Sequence, residues 1–237
     1  MADEPLKNIA LLIDADNVSP GGIDPVLTVL AELGQVNIRR AYGNWAKSAL
    51  AKWDKITHRF GLQPVQQFDL TKGKNATDMA MTIDAVDLLY AGKVDGFGIM
   101  SSDSDFTPLV TRLRQDGLLV YGFGSAKAPE AFKTACTRYI DIDQLIRTEA
   151  SEADEAKAGS QPIDRELIEL LGAALKAASR DEEGYAKLQE VGQIAGNRSS
   201  FDVRNYGFKR LSDLMRAAGG NFKLELRDKE LYVKRVR

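Results

Sequence analysis

Two stretches, NIALLID (8–14) and VDGFGIM (94–100), constrain the fold most. Each is apolar over most of its length. A half-exposed strand would alternate apolar and polar residues, whereas a run of this kind suits a strand covered on both faces. Helical patterns lie between and after these runs. PVLTVLAELG (25–34) stops at glycine, and AKSALAKWDKITHRFG (46–61) is amphipathic and stops at glycine. TDMAMTIDAVDLLYAG (77–92) has Thr77 as its expected cap, and DFTPLVTRLRQDG and PEAFKTAC follow. QVNIRRAYGNW (35–45, at its start), LQPVQQF (62–68), LLVYGFG and YIDI supply further strands. This βαβα order predicts an α/β domain over 1–147, with a mostly parallel sheet and helices on both faces.

RTEASEADEAKAGSQP (147–162) has no apolar face, and 148–162 is expected to be an acidic linker. Beyond it lie three helical patterns, IDRELIELLGAALKAA (163–178), YAKLQEVGQIAGN (185–197) and one inside NYGFKRLSDLMRAAGG (205–220). FKLELRDKELYVKRV then alternates around a polar turn as a β-hairpin. Three helices and a hairpin over 163–237 make a winged helix-turn-helix plan, a small α+β domain.

Both apolar strands deliver acids to their carboxyl ends: Asp14 closes the first, and Asp103 and Asp105 follow the second. Asp78 opens the helix after the loop DLTKGKNA. In an open parallel sheet that end is the ligand-binding crevice. Four carboxylates crowded there repel one another. A divalent cation resolves the conflict, and hard oxygen ligands with room for water suit Mg²⁺ or Mn²⁺. Such an ion activates a water molecule and neutralises charge building on a phosphodiester. Lys72 and Lys74 stand where they could reach a phosphate, and Asn17, Ser101 and Ser102 can hydrogen-bond the ligands or the substrate. An acid at a strand end or helix start is also an ordinary cap, and Asp105 fits that role on the DFTPLV helix. Asp16 adjoins the site but is expected to face solvent. Asp84 is rotated by about 240° from Asp78 along their helix and is expected outside the site. His58, the only histidine, and Cys136, the only cysteine, lack partners for metal binding or nucleophilic catalysis; the first reads as surface and the second as core.

LLIDADN, KGKNATDMAMTIDA, GIMSSDSDFTPLV and GLLVYGFG together resemble the NYN domain, the LabA-like branch of the PIN-like nuclease superfamily, over roughly residues 7–147. The resemblance implies a three-layer α/β/α, metal-dependent ribonuclease domain, with its acidic positions on Asp14, Asp78, Asp103 and Asp105 and with Asn17 beside them. The family often has glycine where this chain has Ser102. YAKLQEVGQIAGNRSSFDVRNYGFKRLSDLMRA and the hairpin after it resemble the OST-HTH or LOTUS domain, which implies RNA binding or, in some members, protein binding. Phe201, Tyr206, Phe208 and Leu211 are candidate core. Arg198, Arg204, Lys209 and Arg210 are candidate phosphate contacts, against the plainer reading that they solvate an exposed helix.

Charge agrees with that division. Residues 1–148 carry 16 basic and 18 acidic side chains, residues 149–184 carry 4 and 10, and residues 185–237 carry 12 and 6. The last segment is therefore net positive, which is compatible with a polyanion partner. One cysteine among the 237 residues permits no disulfide within them and suits a reducing cytoplasm. The start, MADEPLKN, lacks a signal-peptide pattern, and no apolar run approaches the ~20 residues of a membrane helix. The leading expectation is a Mg²⁺- or Mn²⁺-dependent endoribonuclease with an RNA-binding module. A homodimer or a protein partner through the C-terminal domain stays open. Two alternatives compete with it: a non-catalytic RNA-binding adaptor and a haloacid-dehalogenase-type phosphatase. The phosphatase reading rests on LLIDADNV, with Asp14 as nucleophile and Asp16 as acid–base. It lacks that family's wider-spaced later acid pair.

Overall fold

The computed structural model describes residues 6–68, 76–151, 163–198, 201–218, 220–227 and 230–236. The chain divides into two compact units, Met1–Ile146 and Arg147–Arg237.

In the first unit six strands form one sheet in the order β3-β2-β1-β4-β5-β6, every neighbouring pair parallel. They are β1 (Leu6–Asp14), β2 (Gly34–Gly43), β3 (Gln63–Gln66), β4 (Gly96–Met100), β5 (Leu119–Gly124) and β6 (Arg138–Asp141). The helices between them are α1 (Ile23–Leu33), α2 (Asp54–Phe60), α3 (Ala76–Tyr90), α4 (Thr107–Gln115) and α5 (Glu130–Ala135). After β6 comes α6 (Ile142–Ser151), which runs into the segment read as linker. The segment 46–61, read as one helix, is two pieces, a 3-10 helix over Ser48–Trp53 and then α2.

The continuous apolar run of β1 is explained by its central place. Side chains alternate across a strand. Ile9, Leu11 and Ile13 pack on one face with Ile23, Val26 and Leu30 of α1 and with Trp53. Ala10 and Leu12 pack on the other with Met81 of α3, Leu109 of α4 and Phe132 of α5. The result is three layers, helix, sheet, helix. Each fully buried Ile or Leu in β1 contributes about 1.5–3 kcal/mol of burial free energy. Strand order reverses between β1 and β4, and the helices change face there. This topological switch point opens a crevice at the carboxyl ends of those two strands.

The second unit contains α7 (Arg165–Ala177), β7 (Ala186–Lys187), α8 (Leu188–Arg198), α9 (Leu211–Ala217), β8 (Phe222–Arg227) and β9 (Glu230–Arg235). The side chain of Asp164 caps α7, accepting from the Leu167 N–H at 2.9 Å. β8 and β9 form the expected antiparallel hairpin, and β7 adds to it in the order β7-β9-β8. The pattern read as one helix from 185 therefore begins as a strand. Leu167, Leu171, Leu175, Val191, Leu214, Met215 and Val233 fill the core. Phe201, Tyr206, Phe208 and Leu211 pack against that core half-buried, with the rings of Phe201 and Tyr206 5.9 Å apart.

Candidate active site at the switch point

Register brings the site together. Ile13 of β1 stands opposite Met100 of β4, so the next residues of the two strands, Asp14 and Ser101, emerge side by side. Both are fully buried. The Ser101 hydroxyl donates to Asp14 Oδ2 at 3.0 Å, and Asn17 Nδ2 donates to the same oxygen at 2.9 Å. Asp14 Oδ1 is buried with no hydrogen-bond partner. A buried carboxylate oxygen left unmatched is costly unless a proton or a cation meets it. Burial is the main reason that the Asp14 carboxyl is held above the usual carboxylate range. Its two hydrogen bonds pull the other way, and the charges of Asp16 and Asp103 push it further up.

Asp78, in the first turn of α3, is pushed up to about 6 by burial and then by the charges of Asp14, Asp103, Asp105 and Asp16. Five carboxylates thus share one electrostatic neighbourhood at the carboxyl end of the sheet. Asp103 accepts the Asp105 N–H at 2.9 Å and caps the 3-10 turn Ser104–Phe106 that leads into α4. The cap ahead of α4 is therefore Asp103, and Asp105 lies exposed in the turn that it closes. The Asp103 N–H in turn donates to Ser101 Oγ at 3.1 Å, which links it to Asp14 through one hydroxyl. Ser102 accepts the Ser125 N–H at 2.8 Å and so ties the β4 turn to the loop after β5. Gly124 permits that approach, because a Cβ there would collide with Tyr139 Oη, the Ser101 carbonyl and Ser102 Oγ.

Asp16, expected to face solvent, is instead held at the site. Its Oδ2 accepts from the Thr77 hydroxyl at 2.9 Å and from the Asn44 N–H at 3.3 Å, and Oδ1 stands 3.6 Å from Lys47 Nζ. Thr77 is thus not the helix cap; it lies inside α3 and ties that helix to the β1 turn. The sequence signal for Asp16 was the second acid of an Asp-x-Asp pair. Asp84 lies outside the site, bound to the Arg40 guanidinium and the Tyr42 hydroxyl. His58 is exposed. Cys136 is buried, and burial raises its thiol to about 12. Lys72 and Lys74 lie outside the described residues.

The donor set suits a hard divalent cation in composition, and the unmatched Asp14 oxygen is where one would be met. Among the described residues, no three carboxylate, histidine or cysteine groups stand close enough together to hold an ion as placed.

In the second unit Arg198, Lys209 and Arg210 are exposed. Arg204 is held by Asp202, at 3.0 Å to Oδ2, with little of either side chain exposed. It braces the turn before α9.

Comparison with known proteins agrees with both halves. The NYN domain family model matches residues 8–143, and that of the OST-HTH/LOTUS domain matches residues 160–233. The chain belongs to the NYN family and carries an OST-HTH/LOTUS domain after it. NYN is a nuclease-type domain of the PIN-like superfamily, whose members typically use divalent metals, and OST-HTH/LOTUS domains bind RNA. Among curated proteins, an uncharacterized protein of Methanocaldococcus jannaschii is 29% identical over 139 residues, or 56% of this chain. That match spans 52% of the relative's own length. A crystal structure of a protein of unknown function from Vibrio parahaemolyticus has a TM-score of 0.50 at 20% identity, covering 61% of this chain and 98% of that one. It shares the fold. A solution structure of an uncharacterized protein from Nitrosomonas europaea is 32% identical, covers 36% of this chain and 84% of that one, and has a TM-score of 0.31. No helix among the described residues is long and apolar enough to cross a membrane.

Proposed function

We infer that the chain is a cytoplasmic, metal-dependent endoribonuclease in which the first unit cleaves RNA and the second holds it. The observation that carries this reading is Asp14, a fully buried carboxylate with one unmatched oxygen at the switch point, among four further acids. Asp14, Asp78, Asp103 and Asp105 would hold Mg²⁺ or Mn²⁺. When bound, such an ion would lower the pKa of water and neutralise charge developing on a phosphodiester. The chain's own residues do the positioning. Asn17 and Ser101 fix one oxygen of Asp14 and leave the other available. Ser102 holds the β4 turn against the β5 loop, and Thr77 ties α3, and Asp78 with it, to the β1 turn. Lys72 and Lys74, just before Asp78 in sequence, would draw substrate phosphate toward the acids. In the second unit Arg198, Lys209 and Arg210 would contact the RNA backbone, and Arg204 would shape the turn that presents them.

The spacing of the acids favours a second reading. Since no three of them are gathered for an ion as placed, the chain could bind RNA without cleaving it. A time course on single-stranded RNA in Mn²⁺, Mg²⁺ or EDTA, with Asp103→Asn alongside, separates the two. Hydrolysis that needs the metal and is lost in Asp103→Asn supports the nuclease. Binding with no hydrolysis in either metal supports the adaptor.

A further inference from the structure

The second unit has a basic cavity of about 430 Å³ that neither the acidic site nor the four arginines and lysines named above account for. Lys176, in the last turn of α7, Arg180, in the loop that follows, and Lys234 and Arg235, at the end of β9, supply four cations to its lining. Among the described residues, the one carboxylate that lines it, Glu183, is bound to Arg227 at 2.7 Å. Among the described residues, none of the four cations has a carboxylate partner. Lys176 complements the negative end of α7. That accounts for one charge and leaves three from the loop and the opposite strand.

The walls are built rather than loose. Asp181 Oδ1 accepts the N–H groups of Glu183 and Tyr185 at 3.0 and 2.8 Å, and Gly184 turns the loop at φ +85°. Arg227 clamps Asp181 and Glu183 to the sheet. The Tyr185 ring, nearly fully buried, takes Arg227 at 4.4 Å and Lys234 at 4.6 Å, so the lysine is steered by a fixed aromatic face. Gly172 is the telling residue. Glycine is among the least favourable residues inside a helix, yet here a Cβ would collide with the Arg235 guanidinium. The glycine lets that planar fork lie against α7, with no carboxylate partner among the described residues.

We propose that this cavity binds a phosphoryl group carrying two negative charges, with Arg235 and Arg180 as its principal donors and Lys176 and Lys234 as point charges. A guanidinium fork matches phosphate oxygens two at a time, and lysine adds charge without direction. The dianion is the chemistry of a terminal phosphate on an RNA strand and of a free nucleotide or inorganic phosphate. The inference goes beyond the nuclease reading and does not depend on hydrolysis.

The test is an amide NMR titration of the full chain in EDTA at constant ionic strength. Inorganic phosphate, AMP and a short RNA with a 5′-phosphate or 5′-hydroxyl end are added in turn, and Gly172, Gly184 and Tyr185 are followed. Saturable shifts are expected at these amides with at least one phosphomonoester probe. They should weaken about 10- to 100-fold in Arg235→Ala, the range expected for losing a charged hydrogen-bonding partner. Gly172→Ala should weaken them too, because it adds a helix-favouring methyl while displacing Arg235. Tighter binding of the 5′-phosphorylated RNA than of AMP and of the 5′-hydroxyl RNA assigns the site to a strand end. Equal binding of AMP and the 5′-phosphorylated RNA, with none from the 5′-hydroxyl strand, assigns it to free nucleotide. An absence of saturable shifts with all phosphomonoesters, or shifts unchanged in folded Arg235→Ala and Gly172→Ala, overturns the proposal.

Discussion

The two units treat clustered carboxylates in opposite ways. In the second, Asp181, Glu183 and Glu225 converge on one side chain, Arg227, at 2.6, 2.7 and 2.9 Å. The cation is supplied by the chain itself. The Asp181 and Glu225 carboxyls are accordingly held below their usual range, Asp181 chiefly by the Tyr185 N–H and then by Arg227, and Glu225 chiefly by Arg227. In the first unit Asp14, Asp16, Asp78, Asp103 and Asp105 gather at the switch point. Lys47 stands 3.6 Å from Asp16. Asp14 and Asp78 are pushed up. One cluster is finished structure. In the other, the Asp14 and Asp78 carboxyls are raised and one oxygen of Asp14 has no hydrogen-bond partner among the described residues, which makes it a candidate for cation binding.

The largest effect expected from this contrast is Asp14→Asn. It should reduce RNA cleavage to background, and it should raise the melting temperature of the metal-free protein at pH 7, because it removes a carboxyl whose charged form burial disfavours. Gel-based cleavage and thermal melts in EDTA check both. Loss of activity with a lowered melting temperature would break the comparison, since Asp14 would then be structural. Next come Ser101→Ala and Asn17→Ala. Each removes a hydrogen bond that orients Asp14, and each should weaken Mn²⁺ binding about 10- to 100-fold, the usual cost of losing an outer partner of a metal ligand. Leu12→Ala should destabilise the first unit by about 2–5 kcal/mol without changing the ratio of activity in Mn²⁺ to that in Mg²⁺, read by denaturant unfolding and by assay.

The smallest effect is a difference in pH slope. Asp78 has an ordinary value of 3.8 and a folded value of about 6. Between these the folded chain binds more protons than the unfolded one, so stability is gained at low pH and lost as pH rises through about 6. Asp181, Glu225 and Glu230 are shifted downward, so their contribution is present at neutral pH and is lost as pH falls through their folded values. Hydrogen exchange at pH 5 and pH 7 in EDTA, corrected for intrinsic rates, should show more protection at pH 5 in β1 and β4. β8 and β9 should gain none. Parallel behaviour of the two sheets would contradict the assignment of opposite charge balance.

Much of this was legible in the sequence, for physical reasons that can be named. β1 and β4 could be read because burial on both faces leaves a continuous apolar run, and their terminal acids follow from strand direction. The pairing of β7 with β9 was not legible, because two residues carry no periodicity. The break of 46–61 into a 3-10 helix and α2 was hidden by an amphipathic pattern that suits both. Asp16 and Thr77 were misplaced because their hydrogen bond joins residues far apart in sequence. Local rules see only an acid in a turn and a hydroxyl near a helix start. Arg204 illustrates the converse: a basic residue in a basic segment, paired two residues away with a buried aspartate.

The central claim is that the acidic cluster binds a divalent cation through Asp14. Calorimetric titration of Mn²⁺ into the EDTA-stripped and then desalted protein at pH 7, beside Asp14→Asn, tests it most directly. The account predicts saturable binding in the wild type and its loss in the variant. Equal heats in the two proteins, or no saturable binding in the wild type, would contradict it.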